Sequence, residues 1–255
     1  MTQNHKQDNE ELRPSEVKQN SRTLKIDVVS VFPEMIENFV GISIPKRAVE
    51  SGALEVSSLD LRDFSENKHR TVDAYPYGGG GGMVLKPGPF FRAHRKLSEG
   101  LTKKPFVVQT SARGVPLSQS LANELAEKDH LVIFCGHYKG IDARVDELCD
   151  LEVSIGDYCL SGGEVAACVL IDVVARLLPG VVGCFDSVSG DSHYHGLLGP
   201  PEFTRPESFE GREIPDILLS GHHQKIKDWR LSQAEELTRV RRPDLWEKYS
   251  EKTSK

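Results

Sequence analysis

Hydrophobic residues recur along this chain with two different spacings, and the changes between them predict the elements. Short β-branched runs predict strands, and longer segments with apolar residues every three or four positions predict helices. Strands are predicted at 25–32, 54–61, 106–110, 131–135 and 151–155, and helices at 34–39, 45–50, 90–97, 117–128, 141–148 and 163–178. Because strands and helices alternate, the sequence predicts an α/β domain with a mainly parallel sheet over residues 23–180.

The pattern changes on both sides of this domain. Residues 1–22 are polar and lack an apolar core, which predicts a disordered tail rather than a signal peptide. Residues 181–200 are rich in Gly, Ser, Asp and His and predict an interdomain linker. Beyond them, apolar residues return at helical spacing among many charges. The sequence therefore predicts a small helical C-terminal domain over residues 201–255.

Composition narrows the class of protein. The 255 residues are 38% hydrophobic and 27% charged, as in a globular cytoplasmic protein, and no apolar run reaches the roughly 18 residues of a membrane span. Five cysteines without a CxxC pair indicate a reducing compartment. The formal charge of −6 argues against binding nucleic acid through bulk charge, although a local basic patch would suffice. Composition alone favours a metabolite enzyme.

Three glycine-containing segments are candidates for ligand contact. The run 77–83 holds five consecutive glycines, which suit either a flexible linker or close approach to a ligand, but no Lys-Ser/Thr of a P-loop follows. Segments 135–142 and 154–164 each follow a predicted strand, where α/β folds bind ligands. For the first, taken alone, an ordinary strand-to-helix turn is the favoured interpretation. In the second, Glu164 is equally compatible with helix capping.

Charged and metal-binding residue types give weaker signals. Asp172 and Arg176 have the spacing of a helical ion pair, although an arginine in so apolar a helix also suits a ligand oxygen. Neighbouring histidines at 193 and 195, and at 222 and 223, lack zinc-site spacing, so no metal site is predicted. The basic residues around Trp229 suit either a solvated helix face or RNA contact.

An ordered set of motifs resembles one family. The motifs lie at 26–33, 77–87, 135–142, 155–164, 196–198, 203–206, 220–223, 229–233 and 241–243. This order, over about residues 24–242, is similar to that of bacterial tRNA (guanine-N1)-methyltransferases. The resemblance implies a knotted (SPOUT, trefoil-knot) α/β methyltransferase domain, whereas periodicity alone predicts only an open parallel sheet. It also implies a cytoplasmic homodimer with active sites at its interface, and S-adenosyl-L-methionine as methyl donor, with Mg²⁺ as a further candidate.

The resemblance also implies roles for individual residues. The residues matched to the donor pocket are Ser111, Gly136, Tyr138, Ile155, Gly156, Asp157, Tyr158, Cys159, Leu160, Gly162 and Gly163. The residues matched to tRNA contact are Arg205, His222, His223 and Lys225. In methylation of guanosine 37, beside the anticodon, Asp191 would take the N1 proton and Arg176 would stabilise O6. Without the resemblance, Asp191 would be interpreted as a turn residue.

Two positions depart from the family pattern. Lys139 stands where an acidic residue is expected, which puts an acidic contribution to the donor or to magnesium in doubt. Phe203 stands where tyrosine is expected, so a hydroxyl contact is missing. Two alternative functions are a knotted methyltransferase acting on a ribose or on rRNA, and an RNA- or nucleotide-binding protein without activity. The Asp191 segment and the C-terminal domain argue against the first, and the presence of both Asp191 and Arg176 against the second.

Overall fold

The computed structural model of the chain describes residues 22–182 and 191–253. Almost all of the predicted tail and residues 183–190 of the predicted linker, including Cys184, lie outside the described residues.

A five-stranded sheet forms the centre of the fold, and all its strands are parallel. Its strands are β1 (Leu24–Ser30), β2 (Leu54–Asp60), β5 (Phe106–Pro116), β6 (His130–Cys135) and β7 (Leu151–Ser154), in the order β2-β1-β6-β5-β7. In the register, Ile26 is opposite Val56 on one side and Leu131 on the other. Helices cover both faces, so the central strands are buried on both sides, including the apolar run 131–134 of β6 and the polar Asp27 and Ser30 of β1.

The helices pack in two layers. They are α1 (Pro33–Val40), α2 (Ser43–Glu50), α3 (Pro87–Ser98), α4 (Gln119–Ala126) and α5 (Glu164–Ala175), with 3₁₀ helices at Leu61–Phe64 and Ala143–Leu148. On one face Ile36, Leu125 and Leu170 pack against the sheet through α1, α4 and α5. On the other face Phe90 of α3 packs against Phe134 of β6, with ring centroids 5.1 Å apart. A short pair, β3 (Asp73–Ala74) and β4 (Val84–Leu85), flanks the glycine run.

Several element boundaries differ from the prediction. α4 begins at Gln119 because β5 continues to Pro116 and the Ser118 hydroxyl accepts a hydrogen bond from the Leu121 amide, as an N-cap. The segment predicted as a helix at 141–148 is a shorter 3₁₀ helix. α5 ends at Ala175, three residues before the predicted end, with Arg176 as its C-cap.

The C-terminal part is helical but begins with a hairpin that the pattern did not predict. The elements are β8 (Ser208–Phe209), β9 (Arg212–Glu213), α6 (Asp216–Leu219), α7 (His223–Arg241) and α8 (Pro243–Thr253). Pro243 starts α8 because proline cannot continue a helix but fits its first turn. No helix in the described part of the chain is long and apolar enough to cross a membrane.

Candidate active site

A cleft of about 470 Å³ lies at the carboxyl ends of β5, β6 and β7. Its walls are the loop after β6 (136–141), the loop after β7 (155–163) and the irregular middle of β5 around Ser111. The carboxyl edge of a parallel sheet is where α/β folds bind ligands, because loops there are free to vary on a rigid base. The two candidate segments of the sequence therefore meet in one cavity.

Direct backbone contacts hold the two loops together. The Gly163 amide donates a hydrogen bond of 2.7 Å to the Gly136 carbonyl, and His137 forms an antiparallel bridge with Gly162. A Cβ at Gly163 would clash with the Thr110 hydroxyl, and one at Gly162 with the Glu164 carboxylate. These glycines are thus required by the close approach of the loops.

Glu164 is the first residue of α5 but does not cap it: the N-cap is Gly163, and no side chain among the described residues makes a cap hydrogen bond there. Its side chain is buried, and one carboxylate oxygen accepts a hydrogen bond of 2.7 Å from the Ser30 hydroxyl at the end of β1. The other oxygen lies 3.7 Å from Nδ1 of His137 in the cleft wall. A buried carboxylate needs such partners and the favourable end of a helix dipole. Glu164 therefore connects β1 with both cleft loops, a role that local sequence did not indicate.

The structure brings together most of the residues predicted for the donor site. Ten of the eleven line the cleft, and Asp157 does not. Tyr138 has a φ of 60°, a strained conformation for a residue with a side chain, and turns the loop after β6 back towards the sheet.

Sequence reasoning missed Arg113 in the cleft wall and noted Lys139 only as a departure from the family pattern. Arg113 lines it and pairs with Glu152 at 2.9 Å and with Asp146 at 3.5 Å. Lys139 also lines it, and its amide donates a hydrogen bond of 3.0 Å to the Met83 carbonyl at the end of the glycine run. The run therefore borders the cleft instead of linking domains. This position of the glycine run becomes visible only from its contact with the loop after β6, which is distant in sequence.

Arg176 and Asp191 form an ion pair away from the cleft. The Arg176 guanidinium donates a hydrogen bond to Oδ2 of Asp191, and not to the side chain of Asp172 one turn earlier in α5. The two side chains are 41% and 48% exposed, so both are accessible to a ligand. The 12 residues of α5, which separate the pair from Gly163, span about 18 Å.

The residues predicted to contact tRNA are all exposed. Arg205 precedes the hairpin, His222 and His223 start α7, and Lys225 lies in its first turn. Within residues 22–182 and 191–253, none of the four has a carboxylate partner, whereas Arg239 and Arg242 are paired with Glu236 and Asp244. Phe203 packs near Trp229, with ring centroids 6.5 Å apart.

Comparison with known proteins assigns the chain to a family. The family model of tRNA (Guanine-1)-methyltransferase TrmD matches residues 24–248. The chain belongs to the tRNA (guanine-1)-methyltransferase family. It is 46% identical over 230 residues to a tRNA (guanine-N(1)-)-methyltransferase of Ruminiclostridium cellulolyticum, covering 90% of this chain and 99% of that protein.

Further members of the family agree with this assignment. A Brevibacillus brevis tRNA (guanine-N(1)-)-methyltransferase is 52% identical over 228 residues, covering 88% of this chain and 92% of the relative. The crystal structure of tRNA (m1G37) methyltransferase from Aquifex aeolicus superposes with a TM-score of 0.72 at 40% identity, covering 86% of this chain and 93% of that one. The family makes this protein an enzyme, a tRNA (guanine-N1)-methyltransferase, with S-adenosylmethionine as the methyl donor that such enzymes use.

The cleft of this family member does not fit a magnesium ion. Mg²⁺ takes oxygen ligands, mostly carboxylates, and no carboxylate side chain lines the cleft among the described residues. No group of three or more His, Cys, Asp or Glu side chains that could hold a metal occurs in the described ranges. The candidate Mg²⁺ stays a prediction for which the described residues offer no site.

Proposed function

We propose that the protein transfers the methyl group of S-adenosyl-L-methionine to N1 of guanosine 37 in tRNA, 3′ of the anticodon, in the cytoplasm. The observation that carries this proposal is the separation of two sites: a glycine-walled cleft suited to a nucleoside, and an exposed Arg176–Asp191 pair suited to a guanine edge.

The cleft suits the donor because its walls are largely backbone. The residues proposed to bind the donor there are Ser111, Gly136, Tyr138, Ile155, Gly156, Tyr158, Cys159, Leu160, Gly162 and Gly163. Backbone amides and carbonyls can pair with an adenine edge and a ribose, and the absence of side chains at the glycines lets the ligand approach closely. Asp157 is proposed only as a flanking residue of this site, since it lies outside the cleft wall.

The Arg176–Asp191 pair suits the chemistry at guanine N1. N1–H and O6 are neighbours on the guanine edge, and a carboxylate beside a guanidinium presents an acceptor and a donor to them. As the methyl–sulfur bond breaks and the methyl–N1 bond forms, Asp191 takes the N1 proton and Arg176 stabilises the charge growing on O6. The donor leaves as neutral S-adenosylhomocysteine, so charge and protons balance.

The distance along α5 supports an active site built from two chains. Methyl transfer needs the donor methyl within about 3–3.5 Å of N1. In one chain, however, the proposed base lies at the far end of a helix of about 18 Å from the cleft. A homodimer in which one protomer's Asp191 and Arg176 face its partner's cleft resolves this separation.

The surface of α5 supports such a dimer. Val165 and Val169 are four residues apart on one face of the helix and are 46% and 37% exposed, and Leu160 in the cleft loop is 43% exposed. An apolar stripe on a helix surface is typical of an interface. It runs from the cleft towards Arg176, as the composite active site needs.

We further propose the SPOUT trefoil knot and a domain division at 23–180, 181–200 and 201–255. The knot is supported by the contact between the Gly136 loop and the Gly163 loop, because in a knotted fold one such loop passes through the other. Binding of tRNA by the C-terminal domain is supported by four exposed side chains that have no carboxylate partner among the described residues: Arg205, His222, His223 and Lys225. They can contact phosphates locally even though the net charge of the whole chain is negative.

Methyl transfer to two unmodified tRNA transcripts tests the proposal. One transcript carries G at position 37 and the other carries A, and the donor carries a labelled methyl group. We expect label only in the G transcript, recovered as N1-methylguanosine. Label in neither transcript, with S-adenosylhomocysteine binding intact, would point to another RNA substrate.

A further inference from the structure

Lys139 extends along the glycine run at the edge of the cleft. Its Cγ and Cδ lie 3.2 and 3.3 Å from where a Cβ of Gly82 would be, and its Nζ lies 3.4 Å from the corresponding point at Gly80. The glycines therefore make room for the lysine stem, which runs from the cleft wall along the glycine run and ends beside Gly80.

The wall of the cleft includes positively charged side chains. Two permanently charged side chains line it, Arg113 and Lys139, and no carboxylate does so among the described residues. Arg113 already contacts Glu152 and Asp146. Lys139 has no ion pair within the described ranges. Its ammonium group is thus the free cation of the cleft, and it suits an anionic group of a ligand.

We propose that Lys139 binds the carboxylate at the amino-acid end of the methyl donor. This inference rests on the proposed donor site and adds a charged contact to it. S-Adenosylmethionine combines a nucleoside and a sulfonium with an ammonium and one carboxylate, so the carboxylate is its single anionic group. Backbone groups can recognise the nucleoside, whereas the carboxylate requires a cation for a charge-assisted hydrogen bond.

Two ligands that differ only in the carboxylate test this contact. S-Adenosylhomocysteine has it, and 5′-deoxy-5′-(3-aminopropylthio)adenosine is the same molecule without it. Calorimetry on the full chain should show that Lys139→Met weakens binding of S-adenosylhomocysteine about five- to tenfold, as expected for a partly exposed charge-assisted bond. The affinity for the decarboxylated ligand should fall less than about twofold. The difference between the two ligands then isolates the contact between Lys139 and the carboxylate, as in a double-mutant cycle. Lys139→Arg should restore most of the affinity.

The matched control is Lys104→Met. Lys104 lies just before β5, at the amino ends of the parallel strands and away from the cleft. Its replacement should therefore leave the affinity for both ligands unchanged. Equal losses for both ligands in Lys139→Met, or none for either, would overturn the proposal. Weaker tRNA binding with unchanged S-adenosylhomocysteine binding would also overturn it and assign Lys139 to an RNA phosphate. If the unmodified protein bound neither ligand, the proposed function itself would fail.

Discussion

Arg176 and Asp191 form an ion pair across a separation of 15 residues, at the carboxyl end of α5. The pair places a hydrogen-bond donor beside an acceptor on an exposed surface. Because the guanine edge presents the complementary O6 and N1–H, the substrate can replace the internal contact with two of its own.

Asp191→Asn should retain donor binding and nearly abolish methyl transfer. An amide cannot take the N1 proton, so we expect the single-turnover rate to fall about 10²- to 10⁴-fold. The control is Asp172→Asn, which changes a carboxylate of α5, one turn before Arg176, that has no ion pair among the described residues. Calorimetric binding of S-adenosylhomocysteine should be the same in both variants. Substantial transfer by Asp191→Asn at neutral pH would remove Asp191 from the role of base.

Two inactive variants should restore activity when they are co-expressed. Ser111→Trp fills the cleft with an indole, and Asp191→Asn removes the base, so each homodimer should be inactive. In a mixed dimer, the Ser111→Trp protomer supplies Asp191 to its partner's open cleft. Random pairing gives one working site in half of the dimers, or about a quarter of the unmodified activity.

The mixing experiment separates the composite site from a single-chain site. If Asp191 served the cleft of its own chain, every chain in the mixture would be defective, and the mixture would stay inactive. Loss of S-adenosylhomocysteine binding by Ser111→Trp, with an unchanged thermal midpoint, verifies that the variant blocks the cleft and still folds.

The sheet could be predicted from sequence because its strands are buried on both faces. Val132 and Ile133 of β6 pack into the clusters on opposite faces, and both are fully buried, so the run 131–134 is continuously apolar. The hairpin Ser208–Glu213 could not be predicted in this way. Its strands have two residues each and are exposed, so no apolar period marks them.

The candidate site was predictable only where a local motif marks it. The glycine loops at strand ends were recognisable, but their mutual contact depends on the pairing of Gly136 with Gly163, far apart in the chain. Helical spacing made Asp172 one possible partner of Arg176, beside a ligand oxygen, whereas the structure pairs Arg176 with Asp191. Arg176 ends the helix as its C-cap, so its side chain can leave the helix surface and reach Asp191.

Thr238→Val should destabilise the segment that carries Asp191. The buried Thr238 hydroxyl accepts a hydrogen bond of 2.8 Å from the Leu198 amide and donates one of 2.6 Å to the Ala234 carbonyl. Valine has the same shape but leaves the Leu198 amide without its partner. We expect the free energy of unfolding to fall by about 1–2 kcal/mol in urea titrations.

The same variant should lower turnover more than donor binding, because the cleft lies elsewhere while Leu198 anchors the turn after Asp191. Thr238→Ser keeps the hydroxyl and is the control, expected to retain the Leu198 amide's protection from hydrogen exchange. Unchanged Leu198 exchange in Thr238→Val would contradict the proposed anchor.

Cys159 should be the first described cysteine to react with a thiol reagent. It is exposed and lines the cleft, whereas Cys135 is buried. Burial raises the pKa of Cys149 to about 12 and that of Cys168 to about 11. Because the thiolate is the reactive form, a thiol with a pKa of about 11 is only about 0.1% ionised at pH 8.

Modification of Cys159 should in turn report on the cleft. With 5,5′-dithiobis(2-nitrobenzoate) at pH 8, on a Cys184→Ser background, we expect one fast phase that Cys159→Ser removes. Saturating S-adenosylhomocysteine should slow this phase, because the ligand would cover the thiol in the cleft wall. A fast phase that persists in Cys159→Ser would contradict the assignment of the reactive thiol. A fast phase that the ligand leaves unchanged would argue that the donor binds away from Cys159.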